Sequence, residues 1–214
     1  MCRKDRIKLA RLSFNIVSNR ALTRMQAEVE FRMKGHDVED DQWMVRAAQG
    51  DTQAFGRLVE RHQGRLTRFA ERMLGDREAA ADAVQEAFLR LWRSRAHYQA
   101  QGQMERLLLR VVRNICLDRA RMRTPPESLD SLPEAANPIE GPASDVQSKV
   151  FAEAVRQAIL CLPETQRVVF VLTHYEGLTY REVASILQCP LGTVASRKLA
   201  AVATLRLKLH DWNE

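Results

Sequence analysis

The sequence lacks any apolar run of 18 or more residues, so its 214 residues predict no membrane-spanning helix. Aromatic residues make up only 6% of the chain, beside nine glycines and seven prolines. The four cysteines are scattered, at positions 2, 116, 161 and 189, and none forms a CxxC pair. This scarcity argues against a disulfide framework or a structural zinc site and favours reduced thiols in the cytoplasm. We expect no bound metal and no cofactor.

Motifs of common enzyme classes are missing as well. The chain contains no GxSxG, HExxH, Walker or GxGxxG motif, and its five histidines have no metal-ligand spacing with one another or with the cysteines. We therefore expect a protein that is not itself an enzyme. Residues 1–37 hold no apolar stretch suited to a secretory leader.

Excess charge is absent outside the N-terminal extension, residues 1–37. The chain carries 33 basic and 27 acidic residues, and residues 1–34 account for nine of the basic and three of the acidic ones. The remaining 180 residues are therefore neutral overall. We interpret the extension as disordered or as the product of a start codon placed too early, since Met25 and Met33 are alternative starts. The other interpretation is a basic arm that touches phosphates.

Helical periodicity is the main signal that is present. Apolar residues recur at a 3.6-residue spacing from Asp51 to Gly75, with Asp51 suited to cap the helix and Gly75 to end it. Asp76 can begin a second helix. Further helices are predicted near residues 41–49 and 103–121.

A change in amino-acid composition divides the chain into two helical blocks. Residues 124–144 hold five of the seven prolines and four acidic residues, which is typical of an extended, flexible, acidic linker. The sequence thus predicts an all-α protein with two small helical domains. They are expected over residues 38–123 and 148–211, joined by a linker over 124–147.

The second block carries a helix-turn-helix signature. Residues 179–182 form a capping box, residues 189–192 a turn, and Thr193 is expected to open the next helix. Ala184 and Val194 lie ten residues apart, which suits the close helix contact of this motif. The second helix would enter a DNA major groove, unless the motif is a plain helical hairpin in a core. The candidate groove residues are Thr193, Ala195, Ser196, Arg197 and Lys198.

A basic helix face precedes the linker. Six arginines lie between positions 106 and 123, and Arg106, Arg110, Arg113 and Asn114 share one face. Such a face can track phosphates, although a solvated charged face is the common alternative. The segment 94–102 can pocket an unpaired base, or it is an ordinary surface loop.

A mixed polar and apolar face lies on the helix that begins at Asp76. A tryptophan beside polar residues and a leucine suggests a protein-docking surface, because aromatic anchors dominate interfaces. The alternative is an ordinary exposed face with Trp92 folded into the core.

These stretches resemble a known family. AAQGDTQAFGRLVERH, DREAAADAVQEAFLRLW and LLRVVRNICLDRAR resemble region 2 of bacterial RNA polymerase sigma factors, and LPETQRVVFVLTHYEGLTYREVASILQCPLGTVASR resembles region 4. Two such domains without an intervening region 3 are similar to the extracytoplasmic-function (ECF, group 4 of the sigma-70 family) class. The resemblance covers about residues 40–208.

The resemblance implies a partner set and a role for each candidate residue. The protein would bind core RNA polymerase, direct it to promoters and be controlled by an anti-sigma factor. Region 2 would dock on the β′ clamp coiled coil through Asp82, Gln85, Glu86, Phe88, Leu89 and Trp92. It would read and melt the −10 element through Tyr98, Arg106, Arg110, Arg113, Asn114, Asp118 and Arg119. Region 4 would sit on the β flap and read the −35 element through Thr193, Ala195, Ser196, Arg197 and Lys198.

Departures from the family pattern predict differences. Leu107 replaces a common tryptophan, a packing change with little functional weight. Gln188 replaces the turn glycine, which strains the turn or forces left-handed backbone on a non-glycine. Ala195 and Ala200 stand where basic residues are usual, so we expect an altered or weaker −35 preference. A competing function is a helix-turn-helix regulator that binds duplex DNA without polymerase; such a regulator has no need of residues 76–123.

Overall fold

The computed structural model describes residues 37–123 and 143–210 of the protein, with side chains from residue 150 onward in the second range. The predictions for the N-terminal extension and for most of the linker lie outside these residues. The described ranges contain eight helices, a short 3-10 turn at Arg95–His97 and no strand. The helices are α1 (37–48), α2 (Thr52–Leu74), α3 (Arg77–Arg93), α4 (Met104–Arg123), α5 (Ala143–Leu160), α6 (Glu164–His174), α7 (Tyr180–Leu187) and α8 (Leu191–Lys208).

Local capping signals set the ends of α2 and α3, as predicted. The Asp51 carboxylate accepts a hydrogen bond from the Ala54 amide at 3.0 Å, and Asp76 caps α3 in the same way. These bonds satisfy amides that the first turn leaves without partners. Gly75 ends α2 with φ +73°, and a Cβ there would lie 2.7 Å from Leu160. A glycine is therefore required both by the left-handed backbone and by the approach of α5.

Helices α2, α3 and α4 form the core of the first domain. Leu58, Phe69 and Leu108 are fully buried between them, and Met44 adds α1 to the same core. The predicted apolar faces of these helices are thus the buried ones.

Helices α5, α6, α7 and α8 form the second domain, and two predicted boundaries are wrong by a few residues: α5 begins at Ala143, inside the predicted linker, and α8 begins before the predicted Thr193. Helix α8 begins at Leu191, because Pro190 is extended and its carbonyl already accepts from the Thr193 amide at 2.9 Å. Pro163 precedes α6 as its N-cap residue. Helix α6 ends at His174, three residues before the left-handed Gly177.

The two domains pack against each other, which the sequence does not predict. Helix α2 contacts α5 and α6, and α4 contacts α7. Across this contact the Arg156 guanidinium donates to the Gly75 carbonyl at 3.1 Å, and Arg167 donates to the Met73 carbonyl at 2.6 Å. Both arginines therefore bond carbonyls at the C-terminal end of α2, where the helix leaves them unpaired. We call this surface the domain contact.

Candidate nucleic-acid interface

The basic face of α4, formed by Arg106, Arg110, Arg113 and Asn114, lies at the domain contact. Arg106 is 3.4 Å from the Glu182 carboxylate, and Arg110 donates to the Ser185 carbonyl at 3.1 Å. Both partners belong to α7 of the helix-turn-helix. The structure therefore brings the predicted −10 face and the helix-turn-helix together.

Arg113 lies among other arginines on this face. Burial lowers the pKa of its guanidinium; Cys189 acts in the opposite direction, and the charges of Arg110, Arg121 and Arg197 lower the pKa further. Arg197 comes from α8, so arginines of both domains face one another here. Arg113 also donates to the Asn114 side-chain oxygen at 2.8 Å.

Two other −10 candidates lie apart. Asp118 is exposed, whereas Arg119 points toward α3. Arg119 donates to the Ala79 carbonyl at 2.9 Å and to the Glu86 carboxylate at 3.1 Å. Its guanidinium therefore joins α4 to α3 and does not extend the basic face.

The segment 94–102 borders a cavity of about 320 Å³. Its walls include Ser94, His97, Tyr98, Gln101, Arg106 and Arg110. This volume lies at the lower end of the range of small-ligand pockets and suits a group the size of a base. The predicted loop and the predicted helix thus share one cavity.

Tyr98 forms part of the wall, but its hydroxyl is already bonded. The phenol donates to the Asp41 carboxylate, and the Gly102 amide donates to the other oxygen of Asp41 at 2.7 Å. Burial and then the Asp41 charge raise the pKa of Tyr98, so it remains a neutral donor. The hydroxyl proton of Tyr98 is therefore committed to Asp41 and cannot be donated to a ligand.

Some residues of the predicted docking face on α3 are exposed, and others are buried beneath it. Asp82, Gln85 and Leu89 are exposed, with Leu89 at 46%. Phe88 is only 6% exposed, and its ring packs edge-on against Phe55 at 6.3 Å. A buried ring cannot touch a partner, so Phe88 supports the face from beneath.

The remaining docking candidates are held by neighbours. Trp92 is half-buried, with its ring 4.9 Å from Phe55 and the Arg95 guanidinium 4.0 Å above it. Glu86 accepts from Arg90 at 2.5 Å as well as from Arg119. Partial burial opposes ionisation of Glu86, but these two arginines lower the pKa of its carboxyl overall.

The helix-turn-helix has the predicted geometry. The Thr179 hydroxyl accepts from the Glu182 amide at 3.3 Å, and the Glu182 carboxylate accepts from the Thr179 amide at 2.9 Å. Gln188 adopts φ +51° and ψ +47°, the left-handed conformation that the missing glycine predicts. Val194 is fully buried where α7 and α8 meet.

The start of α8 exposes few polar side chains. Ala195 and Ser196 are exposed, while Thr193 and Arg197 are half-buried. The Lys198 ammonium lies 4.3 Å from the centre of the Phe170 ring, and burial lowers its pKa to about 8. In this arrangement Lys198 packs on the domain core and does not face outward.

Family comparisons agree with this geometry. Residues 58–125 match the model of Sigma-70 region 2, and residues 152–205 match that of Sigma-70, region 4. The RNA polymerase sigma-H factor of Pseudomonas aeruginosa is 34% identical over 170 residues, which are 74% of this chain and 88% of the relative. The ECF RNA polymerase sigma factor SigW of Bacillus subtilis is 31% identical over 175 residues, 76% of this chain and 92% of the relative. The chain belongs to the ECF sigma factor family.

A solved structure shows the same fold. CnrH, in its complex with the cytosolic domain of CnrY, superposes with a TM-score of 0.63 at 24% identity, covering 81% of this chain and 98% of CnrH. The superposition concerns the fold; the family models and the curated relatives show the function, a sigma factor that binds core RNA polymerase and directs promoter-specific initiation, as the sequence predicts. No helix in the two described ranges is long and apolar enough to cross a membrane. Within the same ranges no three His, Cys, Asp or Glu side chains are placed to hold a metal ion.

Sequence reasoning missed four residues that organise this sigma factor. Asp41 fastens the segment 94–102, and Arg65 pairs with Glu105 of its own domain and, at 2.6 Å, with Glu176 of the other. Asp41 and Tyr98 lie 57 residues apart in the sequence, and Arg65 and Glu176 lie 111 residues apart. Each residue alone resembles an ordinary charged residue of a solvated helix or loop, so no local signal identifies its partner.

Proposed function

We propose that α4 and the segment 94–102 read the −10 element of the promoter. The observation that carries this assignment is the 320 Å³ cavity, because it joins the segment to Arg106 and Arg110 of the basic face. Bases leave the stack when a duplex is melted, and a pocket of polar side chains beside cations suits one such base. Arg113 and Asn114 lie further along the same face for the adjoining phosphates and bases.

Helix α8 is assigned to the −35 element, with few contacts. Thr193, Ser196 and Arg197 are the polar side chains at its N-terminal end, where a recognition helix meets base edges. The methyl group of Ala195 can contact thymine but carries no charge. Since Lys198 is folded over Phe170, phosphate contacts by α8 are sparse, which supports an altered or weaker −35 preference.

The exposed part of the α3 face is assigned to core polymerase. Asp82, Gln85 and Leu89 present charge, an amide and an apolar side chain together on one exposed stripe. An apolar residue ringed by polar ones is typical of the centre of a protein interface. We assign the β′ clamp coiled coil to this stripe and the β flap to region 4.

An anti-sigma factor is proposed as a further partner. CnrH was solved with the cytosolic domain of CnrY, and RpoE of Bartonella quintana was solved with the anti-sigma factor NepR. We extend this type of partner to the present chain, together with a cytoplasmic location. Catalysis is assigned to polymerase, with the sigma factor not an enzyme itself.

Transcription in vitro tests the assignment. Core polymerase with this protein on a genomic template library should initiate at defined promoters, whereas core alone should not. Leu89→Arg should abolish initiation by preventing docking, and Val45→Arg, at a 40% exposed apolar position of α1, should not. Failure of the wild type to initiate anywhere, together with a gel shift of duplex DNA without polymerase, would instead support the helix-turn-helix regulator.

A further inference from the structure

The segment 94–102 is fastened at its C-terminal end by one carboxylate. Asp41 of α1 accepts from the Tyr98 hydroxyl with one oxygen and from the Gly102 amide with the other. The Asp41 residue is only 8% exposed, so the acceptor end of each bond is largely shielded from water. Hydrogen bonds to a charged acceptor are stronger than neutral ones, and burial strengthens them further.

The residues between the two fastened points are left exposed. Residues 98–102 have no helical structure, and Gln99, Ala100 and Gln101 are exposed between Tyr98 and Gly102. Gln99 and Gln101 line the 320 Å³ cavity together with Arg106. Glutamine side chains can both donate to and accept from base edges. The carboxylate thus sets where two base-reading side chains stand, although it does not line the cavity itself.

The neighbouring acid shows what a purely structural carboxylate does here. Asp40 is fully buried and pairs with Arg61 at 2.9 Å and with His62 at 2.7 Å, which joins α1 to α2. The hydrogen bonds that Asp41 accepts among the described residues both come from residues 98–102. The two adjacent acids therefore have different roles: Asp40 joins α1 to α2, and Asp41 positions the segment 94–102.

We infer that Asp41 is a positioning residue for base selection at the −10 element. The inference rests on the proposed function, because it requires the cavity to accept a −10 base. The bond to Gly102 fixes the end of the segment that enters α4, and the bond to Tyr98 fixes its middle, so Gln99 and Gln101 lie between two fastened points. Without them Gln99 and Gln101 lose their fixed distance from Arg106, so that right and wrong bases make contacts of similar quality.

The test is transcription by the complete holoenzyme from a library that is randomised in the −10 element of a promoter used by the wild type. Asp41→Ala removes both bonds, Tyr98→Phe removes one while keeping the ring, and Glu39→Gln changes an exposed α1 carboxylate outside the loop. Asp41→Ala should flatten the preference for the favoured base about fivefold or more, a typical contribution of one base contact. Tyr98→Phe should flatten it less, and Glu39→Gln not at all. Affinity for core polymerase should stay unchanged in all three.

Two outcomes contradict the inference in different ways. If Gln101→Ala flattens the base preference but Asp41→Ala and Tyr98→Phe lower transcription from every template alike, the cavity reads the base and Asp41 is merely structural. If the wild type shows no preference at the −10 positions, or Gln101→Ala and Gln99→Ala leave it intact, the proposed function of the cavity fails and the role of Asp41 fails with it.

Discussion

Gln188 occupies a backbone conformation that costs free energy for any residue with a Cβ. At φ +51° the left-handed region is unfavourable by about 1 kcal/mol or more for such residues, whereas glycine adopts it freely. Gln188→Gly should therefore raise the free energy of unfolding by about 1 kcal/mol, measured by urea denaturation. Ser185→Gly, inside the same helix, should lower it by roughly 0.5 kcal/mol. A loss of stability with Gln188→Gly would show that the glutamine side chain compensates for the strain.

Asp37 makes stability depend on pH. Burial, followed by the charge of Asp40, raises its pKa from 3.8 to about 6, with a smaller contribution from Asp41. Arg106 and His62 act in the opposite direction. Since the folded state binds the proton more tightly than the unfolded state, the ionised carboxyl is destabilising. The cost is absent below pH 4, grows between pH 4 and 6 and is constant above.

Asp37→Asn should accordingly change the free energy of unfolding more favourably at pH 7 than at pH 4. The expected difference is on the order of 1–2 kcal/mol, less than the full pKa shift implies because the site retains some solvent. Thermal or urea unfolding at several pH values measures it, with Glu39→Gln as the control outside the buried acids. An effect of Asp37→Asn that is the same at pH 4 and pH 7 would contradict the assignment.

At the scale of elements, the predictable features are those with short-range causes. The caps at Asp51 and Asp76 and the capping box at residues 179–182 follow from side chains three residues from their partners. The loop 94–102 remained ambiguous because its shape depends on Asp41, 57 residues before Tyr98. The sequence also places Lys198 at the DNA surface, but the helix rotation that lays it over Phe170 is decided by packing.

Helix α8 should gain DNA affinity from one added charge. Ala195 is exposed near its N-terminal end. Ala195→Arg should add about one phosphate contact, so that promoter binding by the holoenzyme strengthens severalfold at low salt. The slope of log affinity against log salt should steepen by about one.

Ala203→Arg provides the matched control, because it adds the same charge at an exposed position two turns further along α8. It should leave the salt slope nearly unchanged. Equal effects of the two substitutions would show that the arginine acts through the general field of the protein, and would argue against the N-terminal end of α8 as the DNA-reading surface.

At the scale of the molecule, the domain contact conflicts with promoter reading. Arg106 and Arg110 are engaged by α7, and Arg113 lies near Arg110, Arg121 and Arg197. DNA phosphates would relieve this crowding of like charges, but they need access to the face that α7 covers. We therefore expect the domains to separate before the −10 element is read. The sequence gives no sign of this, because partners such as Arg65 and Glu176 lie 111 residues apart.

Glu176→Gln should shift the protein toward separated domains. Glu176 is a buried residue of the second domain, and its carboxylate accepts from Arg65 at 2.6 Å. Arg65 keeps Glu105 as a partner in its own domain, so the loss falls mainly on the domain contact. Removing a charge-assisted bond costs about 1.5–3 kcal/mol. If the open form is scarce, destabilising the closed form by about 1.4 kcal/mol raises the population of the open form about tenfold. The apparent promoter affinity then rises by the same factor.

Small-angle scattering should then show a larger radius of gyration for Glu176→Gln, and transcription at limiting sigma factor should rise. Glu39→Gln, which loses an exposed ion pair within the first domain, should change neither measurement. A larger radius without a gain in transcription would mean that opening does not limit promoter reading. An unchanged radius would mean that the remaining bonds, such as those of Arg156 and Arg167 to the end of α2, suffice to keep the domains together. In that case Arg167→Ala becomes the decisive variant, because its guanidinium bonds the Met73 carbonyl on one side and the Leu160 and Leu162 carbonyls on the other.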